Sequence, residues 1–339
     1  MFNINNEFYQ QDIMSTIPYI SKLIAGKPNP SILVIGASGL IGSYIVDSLI
    51  SYNKSIDDCI NIYAMSRSYQ KIKDRFSYCT SQKLNLMSHN IINELPCDIN
   101  WDYIFHLASY ADPKSYSMYP YETITINVKG TDNIIQYLKN HENTKILFTS
   151  TMEVYGNSNK EYYFEDDYGE IDINNLRSGY PISKITSELM YRSAVKEYGI
   201  NCVIVRLGYI YGATMSDSDN KIIAEFIRNI LLNEELVLKS TGLQKRNYCY
   251  VSDAVNGMIT ALIDGKNGEC YNISDKNSEI SLYELSQLIS DMYSINVKYE
   301  NNPSTLTNKL MNMDKIEKLG WSANINLSQG IERVVNILK

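Results

Sequence analysis

The chain has 339 residues, a formal net charge of -7 and 20% charged residues, a size that suits two domains or one large α/β domain with an appended lobe. No basic block is present, so there is no electrostatic reason to expect nucleic acid or an anionic membrane as partner. The six scattered cysteines and three isolated histidines give neither a disulfide framework nor a zinc site, no apolar run reaches membrane-spanning length, and the polar first residues point to a cytoplasmic protein.

Residues 1–29 form an extension before the first strand, closed by Gly26-Lys27-Pro28-Asn29-Pro30, which a helix would not cross. The aliphatic run 32–35 reads as a buried parallel strand, and apolar residues over 40–50 recur at helical spacing. Gly36, Gly39 and Gly42 fall where strand becomes helix. There the first glycine permits a tight turn and the second lets the backbone approach a pyrophosphate. The third lets the helix sit close to the sheet, with its N-terminus facing the negative charge. The spacing Gly-x-x-Gly-x-x-Gly differs from the commoner Gly-x-Gly-x-x-Gly, and a glycine-rich turn without a ligand would read the same.

Further strands are predicted at 61–65, 83–86, 103–107, 145–150 and 202–207, with helical patterns between most of them, including long helices over 121–140 and 183–198. The alternation implies an α/β fold, a doubly wound parallel sheet of Rossmann type over residues 30–205. From 206 to 339 the alternation loosens into a smaller α+β lobe, with helices at 221–233, 253–264 and 282–293 and part of 247–273 returning to the large sheet. Ser281 and Glu284 form a capping-box pattern.

The second strand ends in Ser66-Arg67-Ser68, where a carboxylate commonly meets the adenosine ribose of NAD. Arg67 with its serines offers a cradle for the 2′-phosphate of NADP, or else lies over the adenine or points to water. Downstream, Tyr180 and Lys184 stand one helical turn apart on one face, so the ammonium is expected to lower the phenol's pKa and turn Tyr180 into a usable base. Thr151, Met152 and Glu153 follow the fifth strand, at the end where open α/β sheets bind ligands.

These segments together resemble the extended short-chain dehydrogenase/reductase family that modifies nucleotide sugars. The resemblance rests on the glycine turn, His106-Leu107-Ala108-Ser109, Asn127-Val128-Lys129-Gly130-Thr131, the 151–156 segment, Tyr180 with Lys184, the 206–212 segment, and Lys245-Arg246-Asn247-Tyr248-Cys249-Tyr250-Val251-Ser252-Asp253. Within the family the chain is most similar to the UDP-glucuronate decarboxylase branch, in Ala111-Asp112-Pro113, Glu165-Asp166-Asp167-Tyr168-Gly169 and Gln244-Lys245-Arg246. The resemblance implies an enzyme that oxidises carbon 4 of a nucleoside-diphosphate sugar with a bound nicotinamide cofactor, NAD, with NADP left open by Ser66 and Arg67. It implies cofactor contacts from Gly36, Ser38, Gly39, Leu40, Ile41, Gly42, Ser66, Arg67, Leu86, Leu107, Ala108, Ser109, Asn127, Tyr180 and Lys184. In catalysis Tyr180 would take the hydroxyl proton, Lys184 would depress its pKa, and Thr151 would bond the same hydroxyl. Met152, Glu153, Tyr209 and Arg246 would face the substrate, Arg246 meeting the diphosphate or a sugar carboxylate, unless it forms only a structural ion pair. A homodimer through the helices at 121–140 and 183–198 is also implied.

Departures from the family pattern bear on the reaction. Dehydratases and decarboxylases place Asp or Ser where this chain has Met152, and a thioether has no proton to give. Glu153 is retained, either as a base at carbon 5 or only as a hydrogen-bond acceptor for the sugar. Tyr209 replaces the usual Asn, and Ala213 the usual Pro. The leading expectation is therefore a nucleotide-sugar 4-epimerase. The alternatives are a decarboxylase or 4,6-dehydratase, an NADPH-dependent 4-ketosugar reductase, and a cofactor-binding protein that has lost catalysis.

Overall fold

The computed structural model describes residues 2–217, 219–302 and 309–339. Seven parallel strands form the central sheet: β1 (Ser31–Ile35), β2 (Asn61–Ser66), β3 (Leu84–Ser88), β4 (Tyr103–His106), β5 (Lys145–Thr151), β7 (Asn201–Leu207) and β11 (Cys270–Ile273). They lie in the order β11-β7-β5-β4-β1-β2-β3. The chain starts in the middle, builds outward to β3, then crosses back to β4 beside β1, which leaves a crevice where the two directions diverge. Residues Ile32 to Ile35 are buried, as a strand covered on both faces requires. The register pairs Ile35 with His106 and His106 with Phe148, so β1, β4 and β5 deliver Gly36, Leu107 and Thr149 to one edge.

The helices are α1 (Glu7–Leu23), α2 (Leu40–Ser55), α3 (Tyr69–Arg75), α4 (Pro113–Met118), α5 (Pro120–Leu138), α6 (Gly179–Tyr198), α7 (Ile222–Leu232), α8 (Val251–Asp264), α9 (Leu282–Tyr293), α10 (Asp314–Glu317) and α11 (Leu327–Leu338). Helices α5 and α6 pack side by side, and α9 begins with the Ser281/Glu284 capping box. The remaining strands serve the smaller lobe: β8 (Tyr209–Tyr211), β10 (Lys245–Tyr250) and β12 (Glu279–Ser281) make a three-stranded sheet, β9 (Leu236–Ser240) pairs with β13 (Val297–Asn302), and β6 (Tyr162–Tyr163) pairs with β14 (Leu310–Met311). No described helix is long and apolar enough to cross a membrane.

Helix α1 was not expected. It buries Tyr9, Ile13, Ile17, Ile20 and Leu23 against α2, α8 and α11, with Pro18 inside it. Its buried Asp12 accepts hydrogen bonds from the Tyr250 hydroxyl and from Arg333 Nη1 at 2.7 Å, and the Tyr44 hydroxyl donates to the Asp12 carbonyl at 2.6 Å. The Tyr9 hydroxyl donates to Asp47 of α2. The extension is thus tied into the core by a polar network as well as by apolar burial.

Candidate active site

The glycine turn is built for close approach. Gly36 has φ +94°, and a side chain there would meet the Ala108 nitrogen at 3.0 Å; a Cβ on Gly42 would come within 2.3 Å of the Gly36 carbonyl oxygen. Both positions therefore admit only glycine without a shift. Gly39 differs: a Cβ would meet only the Gly36 oxygen at 3.4 Å, ordinary contact, so protein packing alone does not demand glycine there. Gly39 is the N-cap of α2 and no side chain caps that helix end, which leaves its positive pole turned to the cleft. The hydroxyl of Ser150, also on the cleft wall, is buried without a partner. An open space at Gly39, an uncapped helix N-terminus and an unpartnered hydroxyl are what a dinucleotide phosphate and its attached groups need, and the residues present fit one.

At the far end of the cleft Ser66, Arg67, His89, Ile91, Leu107 and Ala108 form a second chamber that shares Gly36 and Gly39 with the first. Ser38 and Ser66 face each other there, Oγ to Oγ at 3.2 Å. Arg67 is exposed on one side and paired on the other. Its Nη1 meets Glu122 Oε1 at 2.7 Å and its Nη2 donates to the Tyr110 hydroxyl at 3.0 Å.

In the middle of the cleft, α6 carries Tyr180 and Lys184, both buried. The Tyr180 ring stacks parallel on Tyr116 of α4, centroids 4.7 Å apart. Burial raises the phenol's pKa, opposed by a hydrogen bond with Thr151. Burial also lowers the Lys184 ammonium from its ordinary 10.5 to about 7. Lys184 Nζ donates to the Thr149 carbonyl at 2.8 Å and sits 4.8 Å from the Phe148 ring centroid. Desolvation thus sets the direction at both groups, the phenol up and the ammonium down, where the sequence suggested a phenol lowered by its neighbour.

Beyond Tyr180 the cleft opens toward the smaller lobe. Met152 is buried in the short helical turn after β5. Glu153 Oε2 is paired with Lys309 Nζ at 2.9 Å. Arg246 rests its guanidinium 4.5 Å from the centre of the Tyr209 ring, and Arg177 donates to the Tyr116 hydroxyl at 3.0 Å. Three cationic side chains, Arg177, Arg246 and Lys309, therefore share one mouth with Glu153.

Of the residues singled out from sequence, the glycine turn, Ser38, Leu40, Ile41, Ser66, Arg67, Leu107, Ala108, Ser109, Thr151, Met152, Glu153, Tyr180, Lys184, Tyr209 and Arg246 all line this continuous cleft. Leu86 and Asn127 do not line it. Leu86 packs against the core from β3, and Asn127 is buried between α5 and α6, donating to Ser183 Oγ at 2.8 Å. Asn127 therefore fixes α6, and with it Tyr180 and Lys184. Sequence reasoning missed Tyr116, Arg177, Glu122 and Lys309. Tyr116 stood a few residues beyond the noted Ala111-Asp112-Pro113, whose Asp112 caps α4, but nothing local marked the others.

The sequence profile of the NAD dependent epimerase/dehydratase family matches residues 32–274. UDP-glucuronic acid decarboxylase 3 of Arabidopsis thaliana is 31% identical over 309 residues, covering 90% of this chain and 88% of the plant protein. The solved structure of UDP-glucose 4-epimerase from Thermotoga maritima with UDP-glucose has a TM-score of 0.78 at 22% identity, covering 91% of this chain and 98% of that one. UDP-glucuronic acid 4-epimerase from Bacillus cereus, in complex with UDP-glucuronic acid and NAD, matches with a TM-score of 0.78 at 21% identity, again over 91% and 98% of the two chains. At these identities the two structural likenesses speak for the fold.

Proposed function

Because the chain belongs to the NAD dependent epimerase/dehydratase family and is an NAD-dependent enzyme of nucleotide-sugar chemistry, we propose that it inverts carbon 4 of a nucleoside-diphosphate sugar without elimination. In this reading residues 30–205 hold the dinucleotide and 206–339 the nucleotide sugar, with part of 247–273 returning to the large sheet; β11 of that sheet supports the division. Bound along the glycine turn, NAD supplies a reversible acceptor for the hydrogen and electron pair of the carbon 4 carbinol.

The chain's own residues manage the proton. Tyr180, fixed by the Tyr116 ring and bonded with Thr151, faces the carbon 4 hydroxyl in this reading and, acting as the phenolate, takes its proton, then returns it from the same oxygen after the ketone has been reduced on its other face. Lys184, whose ammonium burial holds well below its ordinary pKa, is fixed beside the reacting centre by its bond to the Thr149 carbonyl. Arg246 and Arg177 line the wider mouth, where they offset the diphosphate charge and exclude water.

The observation that carries the epimerase reading is the pair next to Thr151. Met152 has no proton to give, and Glu153 is held by Lys309 rather than free at the sugar, so no acid and base stand ready for chemistry at carbons 5 and 6. One observation favours decarboxylation instead: Arg246 and Lys309 in the same mouth suit a sugar carboxylate, and the plant relative is named for that reaction. The test is a panel of UDP-, CDP-, GDP- and dTDP-sugars incubated with the wild type and Tyr180→Phe. The epimerase reading expects an isomer of unchanged mass, with turnover lower by about 10²-fold or more in the variant. Carbon dioxide or a dehydrated ketosugar as the sole product contradicts it.

Two copies are proposed to associate through α5 and α6, which leave Tyr121, Ile124 and Leu189 exposed. Light scattering at micromolar concentration should return a dimer mass, and a monomer mass contradicts this. The six cysteines are unpaired, which suits a reducing compartment and supports a cytoplasmic enzyme.

A further inference from the structure

The chamber at the end of β2 holds a cation where a ribose-binding acid is common, yet the structure supplies an acid from elsewhere. Glu122 lies in the first turn of α5, 55 positions along the chain from Arg67, and its Oε1 accepts from Arg67 Nη1 at 2.7 Å and from the Tyr110 hydroxyl at 3.0 Å. The Tyr110 hydroxyl in turn accepts from Arg67 Nη2 at 3.0 Å, and the guanidinium sits 4.9 Å from the Tyr110 ring centroid. Tyr119 stacks on Tyr110, centroids 6.0 Å apart, and fixes the ring. Arg67 is therefore held on two sides of its fork and over one face.

We propose that Glu122 is the specificity-determining counter-ion of the adenosine chamber, engaging Arg67 so that NAD is bound in preference to a 2′-phosphorylated dinucleotide. The inference rests on the dinucleotide site described above. A 2′-phosphate entering this chamber meets an arginine whose fork is already in use and a carboxylate of like charge close behind it. The ribose hydroxyl of NAD carries no charge and meets no such opposition. The pair is partly exposed to solvent, 46% and 45% at the two side chains, so its leverage is moderate rather than absolute.

The experiment is calorimetric binding of NAD, NADP, 5′-AMP and 2′,5′-ADP to purified protein stripped of nucleotide, comparing the wild type, Glu122→Gln and Glu122→Gln/Arg67→Ala. The wild type should prefer NAD to NADP and 5′-AMP to 2′,5′-ADP. Glu122→Gln should tighten the two 2′-phosphorylated ligands by about five- to tenfold and change NAD by less than about twofold. The added Arg67→Ala change should erase that gain. A wild type that binds NADP as tightly as NAD, or a Glu122→Gln protein whose preference is unchanged while NAD still binds, overturns the proposal. Failure of every protein to bind any of the four ligands overturns the dinucleotide site itself, and the proposal with it.

Discussion

Lys309 Nζ lies 2.9 Å from Glu153 Oε2, so a residue of the smaller lobe closes an ion pair on the carboxylate that follows β5. The contact joins the two parts of the molecule at the end of the cleft proposed to hold the sugar. It also determines what Glu153 is free to do. The ammonium occupies one of the two carboxylate oxygens and leaves Glu153 placed as an acceptor and positioning group.

If Glu153 positions the sugar, Glu153→Gln and Lys309→Met should each raise KM more than they lower kcat. Because the two act through one contact, the double variant should be little worse than the worse single change, with a coupling of about 1 kcal/mol. Steady-state kinetics of the four proteins measure this. A persistent reduced-nicotinamide absorbance in Glu153→Gln mixed with substrate would instead mean that chemistry stalls after oxidation and that Glu153 is an essential base.

The glycine turn separates packing from ligand binding. Gly42→Ala places a methyl 2.3 Å from the Gly36 oxygen and should lower the melting temperature of the free protein. Gly39→Ala meets only ordinary contact in the fold, so the free protein should melt at nearly the wild-type temperature. The added methyl then stands where the proposed site places the pyrophosphate, and the upward shift on adding NAD should largely disappear. An undiminished NAD-induced shift in Gly39→Ala contradicts the placement of the phosphates.

Lys184 predicts a pH dependence with a definite sign. Its folded pKa is about 7 against an ordinary 10.5, so between those values the unfolded chain holds a proton that the folded chain lacks. Stability from this group therefore rises with pH across that window, and below about pH 7 its full destabilising effect is present. Lys184→Met should be more stable than the wild type near pH 7, with the difference closing toward pH 10. Denaturant midpoints of both proteins, stripped of nucleotide, read this directly; a difference that stays constant with pH contradicts the buried, weakly basic lysine.

The sheet and its turn were legible because their signals are local. Runs such as Ile32 to Ile35 mark covered strands, the glycines mark the one place where backbone must come close, and α9 announces its start through Ser281 and Glu284. Helix α1 was hidden although Tyr9, Ile13, Ile17 and Ile20 recur at helical spacing, because Pro18 interrupts the pattern and a polar start obscures it. Residues acting across the fold were not legible at all. An acid was sought at the end of β2, whereas Glu122 arrives from α5; a partner for Glu153 was not sought 156 positions away, where Lys309 stands. Sequence spacing reports which groups are near but not how deeply they are desolvated, and burial is what raises the Tyr180 phenol.

The most direct test of carbon 4 inversion without elimination is product analysis after turnover in deuterium oxide, with the sugar nucleotide that the panel identifies. Under the proposed inversion the hydrogen removed from carbon 4 travels to the bound cofactor and back, and no proton leaves carbon 5. The product should therefore keep the mass of its substrate, with no carbon-bound deuterium, and differ only in configuration at carbon 4. Loss of carbon dioxide or water, or deuterium fixed on the sugar carbons, would contradict the account.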